Sequence, residues 1–118
     1  GGEMAISAVA TRVANSLSDE LEYIKTDMTD RGLVIGELIE NRNDYKLPEY
    51  VKYNKTEVYR VTAKEGRVAD HELWISVMEE ERYYYVVTMI TPGRLGEFYT
   101  WARNSEAFQT VVESFKLP

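Results

Sequence analysis

His71 is the only histidine in the 118-residue chain, and it lies between two carboxylates in Asp70-His71-Glu72. Such a group could bind a metal or carry out general acid–base chemistry. The segment reads as a strand, however, and successive strand residues point to opposite faces. His71 therefore faces away from both carboxylates, and a partly buried strand histidine is the expectation. A serine–histidine–carboxylate triad would need the same His71 as base, yet no Gly-x-Ser-x-Gly turn or other nucleophile elbow accompanies it. Asp27 and Asp30 lie one helical turn apart, which suits a weak calcium site but lacks the EF-hand order. TPGRLGE (91–97) has two glycines without the Lys-Ser pair of a phosphate-binding loop. Glu79-Glu80-Glu81 falls at a turn between strands, where a solvated charged tip is expected. Asn54-Lys55-Thr56 matches the glycosylation pattern, which has meaning only in a secreted eukaryotic protein. The expectation is a chain with no catalytic residue, metal or cofactor.

Tyr45, Tyr50 and Tyr53 are the candidate partner-binding residues. They crowd a Pro-containing loop, and tyrosine joins apolar area to a polar tip suited to interfaces. The competing reading is that they cap the end of a sheet.

Bulk properties narrow the classes further. The chain has no cysteine, which removes disulfides, thiolate nucleophiles, cysteine-bound zinc and iron–sulfur clusters. Its net charge of −6 opposes the basic footprint that nucleic-acid binding requires. No apolar run reaches membrane-spanning length, so direct membrane insertion by this segment is not expected. A protein partner is expected, and the compartment and oligomeric state stay open. Residues 1–4 read as a cut end or cloning remnant, and residues 5–118 as one domain.

The elements that must position these groups follow from periodicity. MAISAVATRVA (4–14) suits a strand. Leu17, Leu21, Ile24 and Met28 then mark one face of a helix, with Ser18 as N-cap and Gly32 as its left-handed stop. In the next strand, Leu33, Ile35, Glu37 and Ile39 alternate against Val34, Gly36, Leu38 and Glu40. After the 43–54 loop, TEVYRVTA and RVADHELWISVMEE form a hairpin with Gly66 at its tip. On the second of these strands Leu73, Ile75 and Val77 share a side with His71. Glu72, Trp74, Ser76 and Met78 take the other, polar at its start as if a covering helix reached only part of the sheet. RYYYVVTMITPG (82–93) divides Tyr83, Tyr85, Val87 and Met89 from Tyr84, Val86, Thr88 and Ile90. Two apolar faces predict a strand in mid-sheet, covered on both sides. Phe98, Trp101, Ser105, Phe108, Val112 and Phe115 form a final helical stripe, with Asn104-Ser105 expected to cap a second segment and bend it. The predicted class is α+β: an α/β/α sandwich around a mainly antiparallel sheet of about five strands, with two main helices.

The C-terminal stretch YYYVVTMITP…EFYTWARNSEAFQTVVESFKLP, ending in the Ser114-Phe115 step, resembles the PsbP-like family. The helix SLSDELEYIKTDM and the hairpin VYRVTAKEGRVADHELWISV fall in that family's order. The resemblance spans residues 5–118 and implies an α/β/α sandwich in a family of mostly non-enzymatic members. These include extrinsic photosystem subunits, a Ran-binding import factor, bacterial envelope lipoproteins and secretion chaperones. The family's opening strand pair near a Pro–Trp step has no counterpart here, which would leave a sheet edge or groove open to a partner. The expected function is therefore a non-enzymatic protein-binding or assembly module, docking through a sheet face or open edge. The alternative is a chaperone-like or ligand-binding domain holding an apolar segment in a groove by the C-terminal helix, and a small hydrolase ranks third.

Overall fold

In the computed structural model of the chain, the described residues are 5–12, 16–63 and 70–115, with the backbone alone described for 5–12 and 63. The elements run β1 (Ala5–Arg12), α1 (Leu17–Asp30), β2 (Leu33–Asn41), β3 (Tyr53–Ala63), β4 (His71–Glu79), β5 (Tyr83–Pro92) and α2 (Phe98–Glu113). The fold is α+β, two helices with an antiparallel sheet. β2, β3, β4 and β5 pair in sequence order, and the β1 backbone pairs antiparallel with β5. The predicted turn at Gly66 lies outside the described residues.

Alternation along β4 and β5 builds two separate apolar clusters. Trp74, Met78, Tyr85, Val87 and Met89 join Phe108 and Val112 of α2 in one. Leu73, Ile75, Val77, Tyr84 and Val86 join Leu21 of α1 in the other. Both strands are buried almost throughout. Apolar area removed from water stabilises at about 25 cal/mol per Å², so a strand apolar on both sides contributes twice over only when each side is covered.

α1 starts one turn fraction earlier than its sequence suggests. Ser16, not Ser18, is the N-cap, in extended conformation with its side chain accepting from the Asp19 amide at 3.2 Å. Ser18 is helical and exposed, because Leu17 is needed as the first residue of the inward stripe. Gly32 follows the helix at φ +102°, a region in which a Cβ is strained.

Two other expectations change. α2 is one helix with no cap or break at Asn104-Ser105. Both side chains are buried: Asn104 Nδ2 donates to Thr91 Oγ1 of β5 at 2.8 Å, and Ser105 Oγ donates to the Ala102 carbonyl of its own helix. Their polar groups are satisfied inward, so they have no call to end the helix. β2 does not keep simple alternation either. Its pairing with β3 shifts between Ile35 and Leu38 and again between Leu38 and Glu40. Each shift inserts an extra residue, the signature of a bulge, which bends and twists a strand. Leu33 and Ile35 therefore pack with the α1-side cluster, whereas Ile39 packs with the α2-side cluster. The two shifts together restore the alternation at Glu40, which faces the α2 side, where it has a charged partner.

Candidate functional site

The first candidate is a buried charge cluster under the start of α2. Glu72 is fully buried, on the strand face expected to be merely uncovered. Its carboxylate accepts from the Arg94 backbone amide (3.0 Å), Arg94 Nε (2.9 Å) and Arg94 Nη2 (3.1 Å). It also accepts from Trp74 Nε1 at 3.1 Å and Trp101 Nε1 at 2.9 Å. Arg94 Nη2 reaches Glu40 Oε1 at 3.0 Å as well. The guanidinium stacks over Trp101, 4.6 Å from the ring centroid. Beyond Glu40 the chain of charges continues through Arg42, which pairs with Asp44 and lies over the rings of Tyr45 and Trp74.

Burial alone would raise the Glu72 pKa, but the bonds from Arg94 and the two indoles outweigh it and hold the carboxyl below its usual range. An ionised carboxylate offers about four lone-pair positions, and five donor contacts fill them. Glu72 is therefore held ionised and is a poor general base. Arg94 is engaged through Nε and Nη2 by two carboxylates, Glu72 and Glu40, which already neutralise its charge. What this cluster does is mount a turn: it locks residues 93–97 against the sheet. Gly93 reinforces the mount, since its amide donates to the Asp70 carbonyl at 2.9 Å and a Cβ there would sit 2.5 Å from the Asp70 carboxylate.

That turn carries an exposed apolar group. Leu95 is 77% exposed and Tyr99 91%, with Phe98 half-exposed beside them. Phe98 contacts both Tyr99 and Trp101, at ring-centroid distances of 6.0 and 5.5 Å. The patch is thus continuous with the indole that is fixed on Glu72. Scattered surface apolar residues need no explanation, whereas ring contacts join Phe98, Tyr99 and Trp101 into one aromatic group at the start of α2, with exposed Leu95 on the turn before it.

The second candidate lies on the other side of the sheet. Lys25 Nζ donates to Tyr59 Oη at 3.0 Å, and Tyr59 Oη donates to Glu57 Oε1 at 2.6 Å. Lys25 also pairs with Glu22 at 2.7 Å and lies over the Tyr59 ring. Tyr59 and Glu57 are buried. Burial and the bond to Glu57 push the Tyr59 phenol up. Lys25 is raised too: burial lowers it, and its bonds to Glu22 and Tyr59 more than offset this. A phenol and an ammonium that both hold their protons more tightly make poor general bases at neutral pH. The group opens on a cleft of about 370 Å³ between α1 and β2–β3, lined also by Thr26, Thr29 and Ile35.

The tyrosine trio is divided. Tyr45 is buried against Phe108 and Trp74's cluster, and its hydroxyl has no partner among the described residues. Burial raises its pKa well above the ordinary phenol value. Tyr50 is half-buried and donates its hydroxyl to the Phe115 carbonyl, tying the loop to the end of α2. Lys46 makes a second tie, its amide donating to Glu113 at 2.8 Å. Tyr53 opens β3 and is exposed. They do not form one surface.

The remaining sequence candidates find structural partners. Asp70 accepts from Arg60 Nη1 at 2.6 Å and has φ +52°. His71 starts β4, facing away from Glu72. Asp27 pairs with Arg31 one turn on. Asn54 donates to Ser76 Oγ and the Val77 carbonyl, with Thr56 fully buried beside it. The 79–81 tip is not wholly solvated: Glu80 is buried and accepts from the Arg82 amide at 3.0 Å. Its carboxylate folds back to cap the turn, a local bond that competes with exposure. Among the described residues no group of three His, Cys, Asp or Glu could hold a metal, and no helix is long and apolar enough to cross a membrane.

Neither charge cluster was singled out from sequence, though each left a trace. Glu72 and Trp74 are two apart on one strand face, so an indole donor and a carboxylate were bound to be neighbours. Lys25 follows Leu21 by one turn and interrupts the inward stripe of α1. Compared with family models, curated proteins and solved structures, the chain finds no match in any of the three.

Proposed function

We propose that this domain is a non-enzymatic protein-binding or assembly module built as a five-stranded α/β/α sandwich, similar to the PsbP-like family. The layering draws on the two apolar clusters, one joined by α1 and one by α2. The binding role rests on one observation: Leu95 on the turn that Glu72 and Arg94 hold, and Phe98 and Tyr99 in the first turn of α2 that follows it, are all exposed. Aromatic anchors on a preorganised base give up little conformational entropy on docking and are the usual centres of protein interfaces. The non-enzymatic reading draws on the engagement of the charged groups nearest these surfaces: Glu72 accepts five donor contacts, and Arg94 and Lys25 are both ion-paired. The docking surface is then the start of α2 with the turn before it, and not the loop tyrosines.

The test is a Leu95→Ala/Tyr99→Ala variant in quantitative affinity capture against the wild type. Exposed positions of this kind change stability by no more than about 0.5 kcal/mol, so the unfolding midpoint should hold. Proteins retained by the wild type should be lost. An unchanged set of captured proteins would sink the proposal. A second reading, a chaperone-like domain holding an apolar segment beside α2, uses the same patch. It predicts that short apolar peptides of unrelated sequence shift the Phe98 and Tyr99 amide resonances.

A further inference from the structure

The cleft between α1 and β2–β3 lies in the opposite layer from the aromatic patch, and nothing in the binding role above uses it. Its floor is polar in a layer otherwise made mostly of Leu, Ile and Val. Glu57, Tyr59, Lys25 and Glu22 form a line from the interior to the rim. The two ends of that line differ. Glu57 is buried and has a second cation, Lys55, at 3.8 Å. Glu22 is on the rim with its side chain 69% exposed, whereas that of Lys25 is 19% exposed.

Lys25 is therefore a mostly buried cation whose outer counter-ion is an exposed surface carboxylate. An ammonium has three donors, and two are committed, to Tyr59 and Glu22. The Tyr59 hydroxyl is itself fixed by donating to Glu57, so it can only accept from Lys25, and this keeps the ammonium aimed at the cleft. Ile35 and the Tyr59 ring supply apolar wall, and Thr26 and Thr29 edge the rim. Thr29 Oγ1 donates to the Lys25 carbonyl at 3.0 Å, which fixes that rim. An ion pair whose carboxylate is solvent-exposed, as Glu22 is, is worth little, so another carboxylate can replace Glu22 at small cost while gaining apolar contact.

We infer that this cleft binds a small organic carboxylic acid, its carboxylate taking the place of Glu22 on Lys25 and its apolar body lying against Ile35 and Tyr59. The 370 Å³ volume falls at the small end of ligand sites, which limits the ligand to a single ring or a short chain. Affinity should be weak, because one charge contact and a modest apolar area do the binding.

The probe is benzoate, followed by amide chemical shifts of the full chain, with neutral benzamide as control. Benzoate should give saturable shifts at Lys25, Thr26, Thr29 and Ile35, and benzamide none. Glu22→Gln removes the internal competitor and should tighten benzoate binding by about threefold, the equivalent of one surface ion pair. Lys25→Met keeps the stem packed and should abolish saturation. Absence of saturable shifts in the wild type, equal response to benzamide, or binding that Glu22→Gln leaves unchanged or weakens would each overturn the assignment. Glu22 is at the surface, so that variant reads the site even should Lys25→Met fold poorly.

Discussion

The two sides of the sheet both bury charge, and they do so in opposite ways. On the α2 side, Glu72 is closed in by five donor contacts, two of them from tryptophans, and the guanidinium that neutralises it also bonds Glu40. On the α1 side, a single hydroxyl links Glu57 to Lys25, and the line ends at an exposed glutamate. Removing a charge from water is offset only when its lone pairs and protons all find partners. The Glu72 carboxylate meets that condition, and its cluster becomes a mount. The second meets it partly, through a side chain that can leave, and so stays open to exchange. Saturation of polar groups is what separates scaffolding from a site in this molecule.

The contrast breaks most visibly at Arg94. Arg94→Met leaves Glu72 buried without its cation, and stability should fall by about 3 kcal/mol in urea unfolding. The pH profile gives the sign independently. Glu72 is held low in the folded state, so its contribution is present above the unfolded value near 4.3. It is lost as pH falls through the folded value. Without Arg94, burial would push Glu72 up instead, so the variant's acid-side loss should begin at higher pH than the wild type's.

Tyr59→Phe cuts the other cluster and should cost about 2 kcal/mol, since Glu57 and Lys25 each lose a bond. Here the sign is alkaline. Tyr59 and Lys25 are both raised on folding, so their stabilisation is present below about pH 10 and lost as pH rises through the folded values. Tyr84, which burial and its bond to Glu79 push up to about 12, shares that alkaline limb. The variant should therefore flatten it in part and leave the acid limb as it was. A Tyr59→Phe effect confined to low pH would erase the distinction between the two sides.

The smallest effect should be a gain. Tyr45→Phe removes a buried hydroxyl with no partner among the described residues, and the unfolding midpoint should rise by the equivalent of about 1 kcal/mol. A loss there would mean that the hydroxyl is satisfied in solution, and that Tyr45 belongs with Arg42 to the charged line.

Much of the fold was legible because it is periodic. The split of Tyr83 and Tyr85 from Tyr84, the inward stripe of α1 and the Phe108–Val112 face of α2 all follow from the period of one element. The bulges in β2 were not legible, because they depend on how that strand registers on β3. Ile39 consequently changes sides. Nor did the sequence separate Tyr45, Tyr50 and Tyr53. Their types are identical, and only the course of the loop over α2 buries the first, ties the second and exposes the third.

By itself the sequence determined the element order, the two apolar faces of the β4–β5 pair and the absence of cysteine chemistry. These are properties of composition and of side chains a few positions apart. Only the tertiary structure decided that Glu72, Arg94 and Glu40 share one buried cluster, and that Lys25 of α1 meets Tyr59 of β3. Those partners lie between 22 and 54 residues apart in the chain. Electrostatic pairing has no period, so its partners are chosen by packing.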